Sequence, residues 1–292
     1  MRILVTADLH YDAARSRGAA EELARRACRM GGDALVLVGD TASAAHQPLR
    51  DCLALFADFP GRKLLVEGNH CLWCLPGEDS IQRYERIVPA IAAEAGFTVL
   101  DHQTVVLGPV GLVGSIGWYD YSYRQEELGI PVEFYRAKVA PGAAQRLPEH
   151  RELVSRYRGQ LADWHFNISA RWMDGVRVRM DMSDEEFLEY VLGRLRGHLA
   201  ELEADPAVRQ VVAFVHHLPF RQLLPEDRPE QFAFAAAFLG SDRIGQALLA
   251  SRKLTHVFCG HSHWPGRCRI GPVEVVNLGC TYSEKHLEVL EL

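Results

Sequence analysis

Five strand-length apolar runs, Ile3–Val5, Ala34–Val38, Lys63–Val66, Val211–Val215 and His256–Cys259, are each followed by polar side chains that bind metals. Runs this short and this apolar predict buried strands. The residues beyond them are Asp8-Leu9-His10, Gly39-Asp40, Gly68-Asn69-His70, His216-His217 and Gly260-His261-Ser262-His263. Side chains at the same end of several strands converge although they lie far apart in the chain, which is how an α/β protein assembles a site. Carboxylate, imidazole and amide donors in this number suit two hard-to-borderline divalent ions rather than one structural zinc.

Between the runs, apolar residues repeat at helical spacing. Leu23, Ala24, Ala27 and Met30 predict a helix over 19–30, stopped by Gly31-Gly32. Leu49, Cys52, Leu53 and Phe56 predict another over 48–57, and Ile81, Tyr84, Ile87, Val88 and Ile91 a third over 80–95. Short strands are expected at 97–100, 104–107 and 111–113. From 115 to 205 the pattern breaks: the stretch 117–124 is dense in aromatics, and Pro131, Pro141 and Pro148 punctuate the residues after it. Ser183 with Glu186 three residues on forms a capping box ahead of a helix running to about Glu203. Aromatics and an amphipathic helix have apolar surface to bury, so this segment is expected to pack. Beyond it, 219–229 reads as a loop, 232–239 and 241–251 as helices, and the tail from Arg267 as strand-rich.

With 292 residues, 48% of them hydrophobic, the chain can bury one sizeable core. No apolar run approaches the ~20 residues that span a bilayer. The chain opens directly into a strand instead of a signal peptide, so a cytoplasmic protein without a membrane partner is expected. Seven cysteines in such a chain argue against a disulfide framework. Cys71 and Cys74 lack partner cysteines at matching spacing and are expected to pack beside the site. The net charge is −6, and residues 120–205 carry eleven Arg and one Lys against sixteen acids, which disfavours nucleic acid as a partner.

The ordered blocks D-x-H, G-D, G-N-H, His and G-H-x-H resemble the signature of the calcineurin-like metallophosphoesterase superfamily. The resemblance covers residues 1–112 and resumes at about 211. It implies an α/β four-layer sandwich, two central mixed β-sheets flanked by helices, as a single domain over 1–292. An aromatic-rich, partly helical, cap-like insertion would occupy about 115–205. The implied function is metal-dependent hydrolysis of a phosphoester, as a phosphodiesterase or phosphomonoesterase, with two divalent ions (Mn, Fe or Zn) and a bridging hydroxide. Asp40 would bridge the ions. Asp8, His10 and His263 would complete one site; Asn69, His261 and one histidine of the 216–217 pair would complete the other. The first position past the apolar run favours His216, and the spacing to Pro219 favours His217; we take His216. His70 resembles the superfamily histidine that protonates the leaving group without binding metal. A nuclease of the same superfamily and a catalytically silent partner-binding scaffold are the competing expectations.

Trp118, Tyr119, Asp120 and Tyr123 leave a strand expected to end near the metals. With His217 they are the candidates for contact with substrate, while anchoring the insertion is the other use such aromatics have. Asp12 is expected to orient His10, because metal-bound histidines usually need a partner for the second ring nitrogen.

Overall fold

Unbroken runs of Val, Ile and Leu favour extended chain covered on both faces, and such runs form the centre of each of two sheets. The computed structural model describes residues 1–225 and 230–292. In the first sheet β1 (Arg2–Thr6), β2 (Ala34–Val38), β3 (Arg62–Val66) and β4 (Phe97–Val99) are parallel neighbours. The second sheet contains β5 (Val105–Leu107), β6 (Val110–Ser115), β7 (Gln210–Val215), β8 (Leu254–Cys259), β9 (Gly266–Ile270) and β10 (Val273–Asn277). Its spatial order is β5-β6-β7-β8-β10-β9, with β5 and β9 antiparallel at the edges. The last strand, β11 (Glu288–Glu291), returns to the first sheet antiparallel to β1, with Arg2 opposite Glu291.

Alternate residues of a strand face opposite sides, and the two sets are buried differently. Ile3, Val5, Val36, Val38, Leu64 and Val66 of the first sheet share a core with Leu112, Val212, Phe214 and Phe258 of the second. Leu4, Leu35, Leu37 and Leu65 belong instead to the cluster that includes Leu23 and Ala27 of helix Ala14–Met30 and Leu49 and Leu53 of helix His46–Ala54. Helix Asp184–Ala204 covers β6 on the other side, burying Leu188, Leu192 and Leu195. The layers are helix, sheet, sheet, helix, which is the expected four-layer α/β sandwich.

Differences from the sequence expectation lie at helix ends and in short elements. The first helix starts at Ala14, five residues earlier than its apolar pattern, because its first turn carries few core contacts. Over 80–94 the helix is interrupted by a π turn at Arg83–Ile87. Arg83, buried there, donates to the carbonyls of Cys71 (2.8 Å) and Ala44 (3.0 Å) and to Glu78 (2.8 Å), tying together the loops after β2 and β3. The expected loop at 219–229 contains a 3₁₀ turn at Arg221–Leu223, and its residues 226–229 lie outside the described residues.

Residues 116–209 connect β6 to β7, which are adjacent and parallel. Much of the unpatterned stretch folds as short helices, among them Val132–Arg136, Pro141–Ala144, Arg151–Tyr157 and Asp174–Arg177. One or two turns are too few to display a helical period, so the sequence carries no signal for them. The capping box is formed: Ser183 Oγ accepts from Glu186 N (3.2 Å), and Ser183 N donates to Glu186 Oε2 (2.8 Å). Next to it, the Asp184 carboxylate receives Trp118 Nε1 (2.8 Å) and Tyr121 OH and pairs with Lys138. Among the described residues no helix is long and apolar enough to cross a membrane.

Candidate metal centre

Parallel strands end on one edge, so the loops after β1, β2, β3, β7 and β8 meet there. Side chains from both sheets converge into two groups. In the first, His10 Nε2 lies 3.0 Å from His263 Nε2, and Asp8 Oδ1 lies 3.5 Å from His263 Nε2. In the second, His216 Nε2 lies 3.2 Å from Asn69 Oδ1, 3.2 Å from His261 Nδ1 and 3.5 Å from Asp40 Oδ2. That same oxygen of Asp40 is 3.7 Å from His10 Nε2 and 3.8 Å from His70 Nε2, so Asp40 stands between the groups. His217 packs its ring on that of His261, with centroids 4.2 Å apart; its Nδ1 is 2.8 Å from the carbonyl of Ile116, and its buried Nε2 has no hydrogen-bond partner among the described residues. The two rings stand nearly perpendicular with centroids 5.2 Å apart, and it is His216 that turns Nε2 to Asp40 and Asn69.

The backbone is forced to achieve this convergence. Among the described residues, seven non-glycine residues have positive φ, and five of them are Asp8, His10, Asp40, His261 and His263. A left-handed conformation costs an L-residue on the order of 1–3 kcal/mol and persists where the surroundings impose it, typically at functional sites. Two motif glycines permit close approach: a Cβ on Gly68 would come 2.2 Å from Asp40 Oδ1, and one on Gly260 would come 2.4 Å from Asp8 Oδ2. Ring nitrogens and oxygens crowded at 3.0–3.2 Å repel through their lone pairs unless a proton or cation lies among them. Carboxylate, imidazole and amide donors fit divalent Mn, Fe or Zn, and the described residues yield metal-capable groups at Asp8/His10/His263, His10/Asp40/His70 and Asp40/His216/His261.

Charge among the protein's own groups is distributed accordingly. Burial raises the Asp40 pKa, but His70, His216 and His10 outweigh it and hold the carboxyl well below its usual range. Burial lowers that of His216, yet the carboxylates of Asp40 and Asp8 override it and push the imidazole up to about 9. Burial dominates at His217, lowered to about 3, and at His10 and His261, both well below the ordinary imidazole value.

The sequence model described as calcineurin-like phosphoesterase matches residues 1–265. The chain belongs to that family. Its fold is similar to that of phosphopantetheinyl hydrolase from Mycobacterium tuberculosis, at 19% identity and TM-score 0.67, over 96% of this chain and 89% of that one. It is similar too to a protein from Thermus thermophilus (17% identity, TM-score 0.53, covering 99% and 97%). A dimetal phosphatase from Danio rerio matches at 15% identity and TM-score 0.52, over 96% of this chain and 87% of that one. No curated protein matches by sequence.

In this calcineurin-like phosphoesterase a cavity of about 290 Å³ adjoins Asp40, Asn69, His70, His261 and His263. Its remaining wall is largely apolar, including Trp73, Trp172, Met173, Phe232 and Leu239. Trp73 stacks on His70 with ring centroids 3.7 Å apart, and Trp172 meets His261 edge-on at 5.7 Å. Neither indole was anticipated. Trp73 had a usable signal, since residues three apart eclipse in the 3₁₀ turn Asn69–Leu72 that carries His70; Trp172 had none.

The structure places the expected substrate contacts outside the lining of this cavity. Trp118, Tyr119, Asp120, Tyr123 and His217 are not among the residues lining the cavity. Trp118, Tyr119 and Tyr123 are buried and donate to the carboxylates of Asp184 (2.8 Å), Asp174 (3.0 Å) and Asp242 (3.0 Å). Asp120 accepts from Ser241 Oγ (2.8 Å). The strand they follow runs beneath the insertion, and large rings there are more stable buried than facing a wet cavity. Asp12 also differs: it accepts from Ser43 N (3.2 Å) and Ser43 Oγ, while His10 Nδ1 has no partner among the described residues. Cys71 and Cys74 are free, buried thiols beside the site.

Proposed function

We propose that this protein hydrolyses phosphoesters with two divalent ions held by Asp8, His10, Asp40, Asn69, His216, His261 and His263, and with His70 protonating the leaving alcohol. The supporting observation is the position of Asp40 Oδ2, between 3.5 and 3.8 Å from Nε2 of His216, His10 and His70. One carboxylate oxygen thus faces both ligand groups and the acid histidine. Two divalent ions, when bound, supply a nucleophile at neutral pH and neutralise charge on the phosphoryl oxygens.

The chain's own residues set the rest. Asp8 and Asp40 bring the negative charge that retains dications, whereas Asn69 contributes an oxygen without charge and leaves the site electrophilic towards phosphate. His70 is held by its stack on Trp73, with Nε2 on the Asp40 side, in position to hand a proton to the departing oxygen. Trp73, Trp172, Met173 and Leu239 limit water beside the reacting group and favour an ester whose alcohol is apolar.

Purified protein with Mn²⁺, Fe²⁺ or Zn²⁺ is expected to hydrolyse bis-p-nitrophenyl phosphate or p-nitrophenyl phosphate. Asp40→Asn should abolish turnover, and His70→Ala should lower kcat by about 10²–10⁴ on an alkyl phosphate, whose departing alkoxide needs a proton. No turnover with any of these ions, together with no bound metal by elemental analysis, overturns the enzymatic reading. Full alkyl phosphate hydrolysis by His70→Ala overturns only the acid role. Among alkyl phosphate monoesters, assayed by released phosphate, kcat/KM should rise from methyl to hexyl; a flat series excludes the apolar alcohol. A phosphopantetheinyl ester belongs in the panel, because a structural neighbour is named for that hydrolysis.

A further inference from the structure

Asp174 begins a single helical turn in the insertion and is 1% exposed. Its Oδ1 accepts from Asn69 Nδ2 (2.9 Å) and Trp73 Nε1 (2.7 Å), and its Oδ2 from Trp172 Nε1 (2.8 Å) and Tyr119 OH (3.0 Å). A carboxylate offers about four lone-pair directions, so these four neutral donors saturate it.

The contact with Asn69 bears on the metal ligands. The two ends of an amide are nearly equal in shape, and only hydrogen bonding decides which faces a given side. A carboxylate is a strict acceptor, so it selects the NH₂ end. Asn69 Oδ1 is thereby turned towards His216 Nε2, 3.2 Å away. Reversal would set an amide oxygen against a buried carboxylate and aim two N–H donors at the metal ligands. The same carboxylate pins both indoles, so Trp73 beside His70 and Trp172 beside His261 form one wall across the cavity.

We propose that Asp174 is a positioning residue: it presents the oxygen of Asn69 to the metal ions and sets the indole wall, so the second ligand group depends on the insertion. This rests on the two-metal reading above. Partners that orient metal ligands typically alter metal affinity or activity by about 10–100-fold when replaced.

Two measurements test it. In the zinc-loaded wild type, the side-chain NH₂ signal of Asn69, identified by its loss in Asn69→Ala, should exchange slowly with solvent; exchange at the rate of an exposed amide overturns the proposal. In Asp174→Asn, followed by Mn²⁺ calorimetry, affinity for one of two ions should fall about 10–100-fold while the other stays within about twofold. In the Asn69→Ala background the same substitution should add less than about twofold. Unchanged affinity in Asp174→Asn, or an equal loss in both backgrounds, overturns the positioning role. The two-metal reading fails separately, in the wild type alone, if fewer than two ions bind; that result removes this proposal with it.

Discussion

Asp40 lies where one carboxylate must serve several imidazoles, and His216 records the consequence most directly. Burial alone would lower the His216 pKa, but the Asp40 and Asp8 carboxylates push it up to about 9 from 6.5. The protonated ring therefore stabilises the metal-free fold fully below about pH 6.5, and this contribution is lost as pH rises through about 9. A metal at this nitrogen must displace the proton. Binding at pH 7 is expected to release about one proton from His216, with affinity at that site rising about tenfold per pH unit towards 9. Calorimetry in buffers of different ionisation enthalpy reads the proton directly, and a binding enthalpy independent of buffer contradicts the assignment. Strand register indicated His216 in the sequence because side-chain direction alternates locally. The Asp40 carboxylate beside it comes from the other sheet, which no local pattern reports.

Helix Asp184–Ala204 shows how far an element can be read from its own residues. Ser183 and Glu186 announced its start, and both reciprocal hydrogen bonds form. Removing the cap by Ser183→Ala should cost about 1 kcal/mol. That corresponds to a Tm lower by about 1–2 °C for a chain of 292 residues. Metal stoichiometry and aryl phosphate turnover should be unchanged, since the cap touches no ligand; a loss of bound metal in this variant would show that the helix start supports the centre. Thermal melts with elemental analysis decide it. The short helices of the insertion follow the opposite rule: they are held by tertiary contacts, such as Lys138 on Asp184 and Trp172 on Phe238 at 5.1 Å.

At the scale of the molecule, the two ligand groups join two sheets that share no strand pairing. Asp8, His10, Asp40 and Asn69 follow strands of the first sheet, and His216, His261 and His263 follow strands of the second. Metal bound between them would act as a cross-link present only in the folded state. At a free concentration one hundred times Kd, each ion should add about 2.7 kcal/mol. Stripping with a chelator should lower Tm by several degrees, and readdition of Mn²⁺ should restore it. The shift should shrink in Asp40→Asn. Equal melting temperatures for loaded and fully stripped protein would contradict a cross-linking role.

The strand-end blocks determined in the sequence which side chains gather, because a buried strand followed by a fixed polar motif is a local pattern, and parallel strands bring their ends to one edge. The order of layers came only with the family resemblance that these blocks carry. Tertiary structure alone decided what surrounds the gathered ligands. Asp174 meets Asn69 across 105 residues, and the aromatics after β6 turn into the core instead of the cavity. Their roles depend on how the insertion folds back over the sheet. Such long-range contacts have no period and no spacing, so they exist only once the chain has folded.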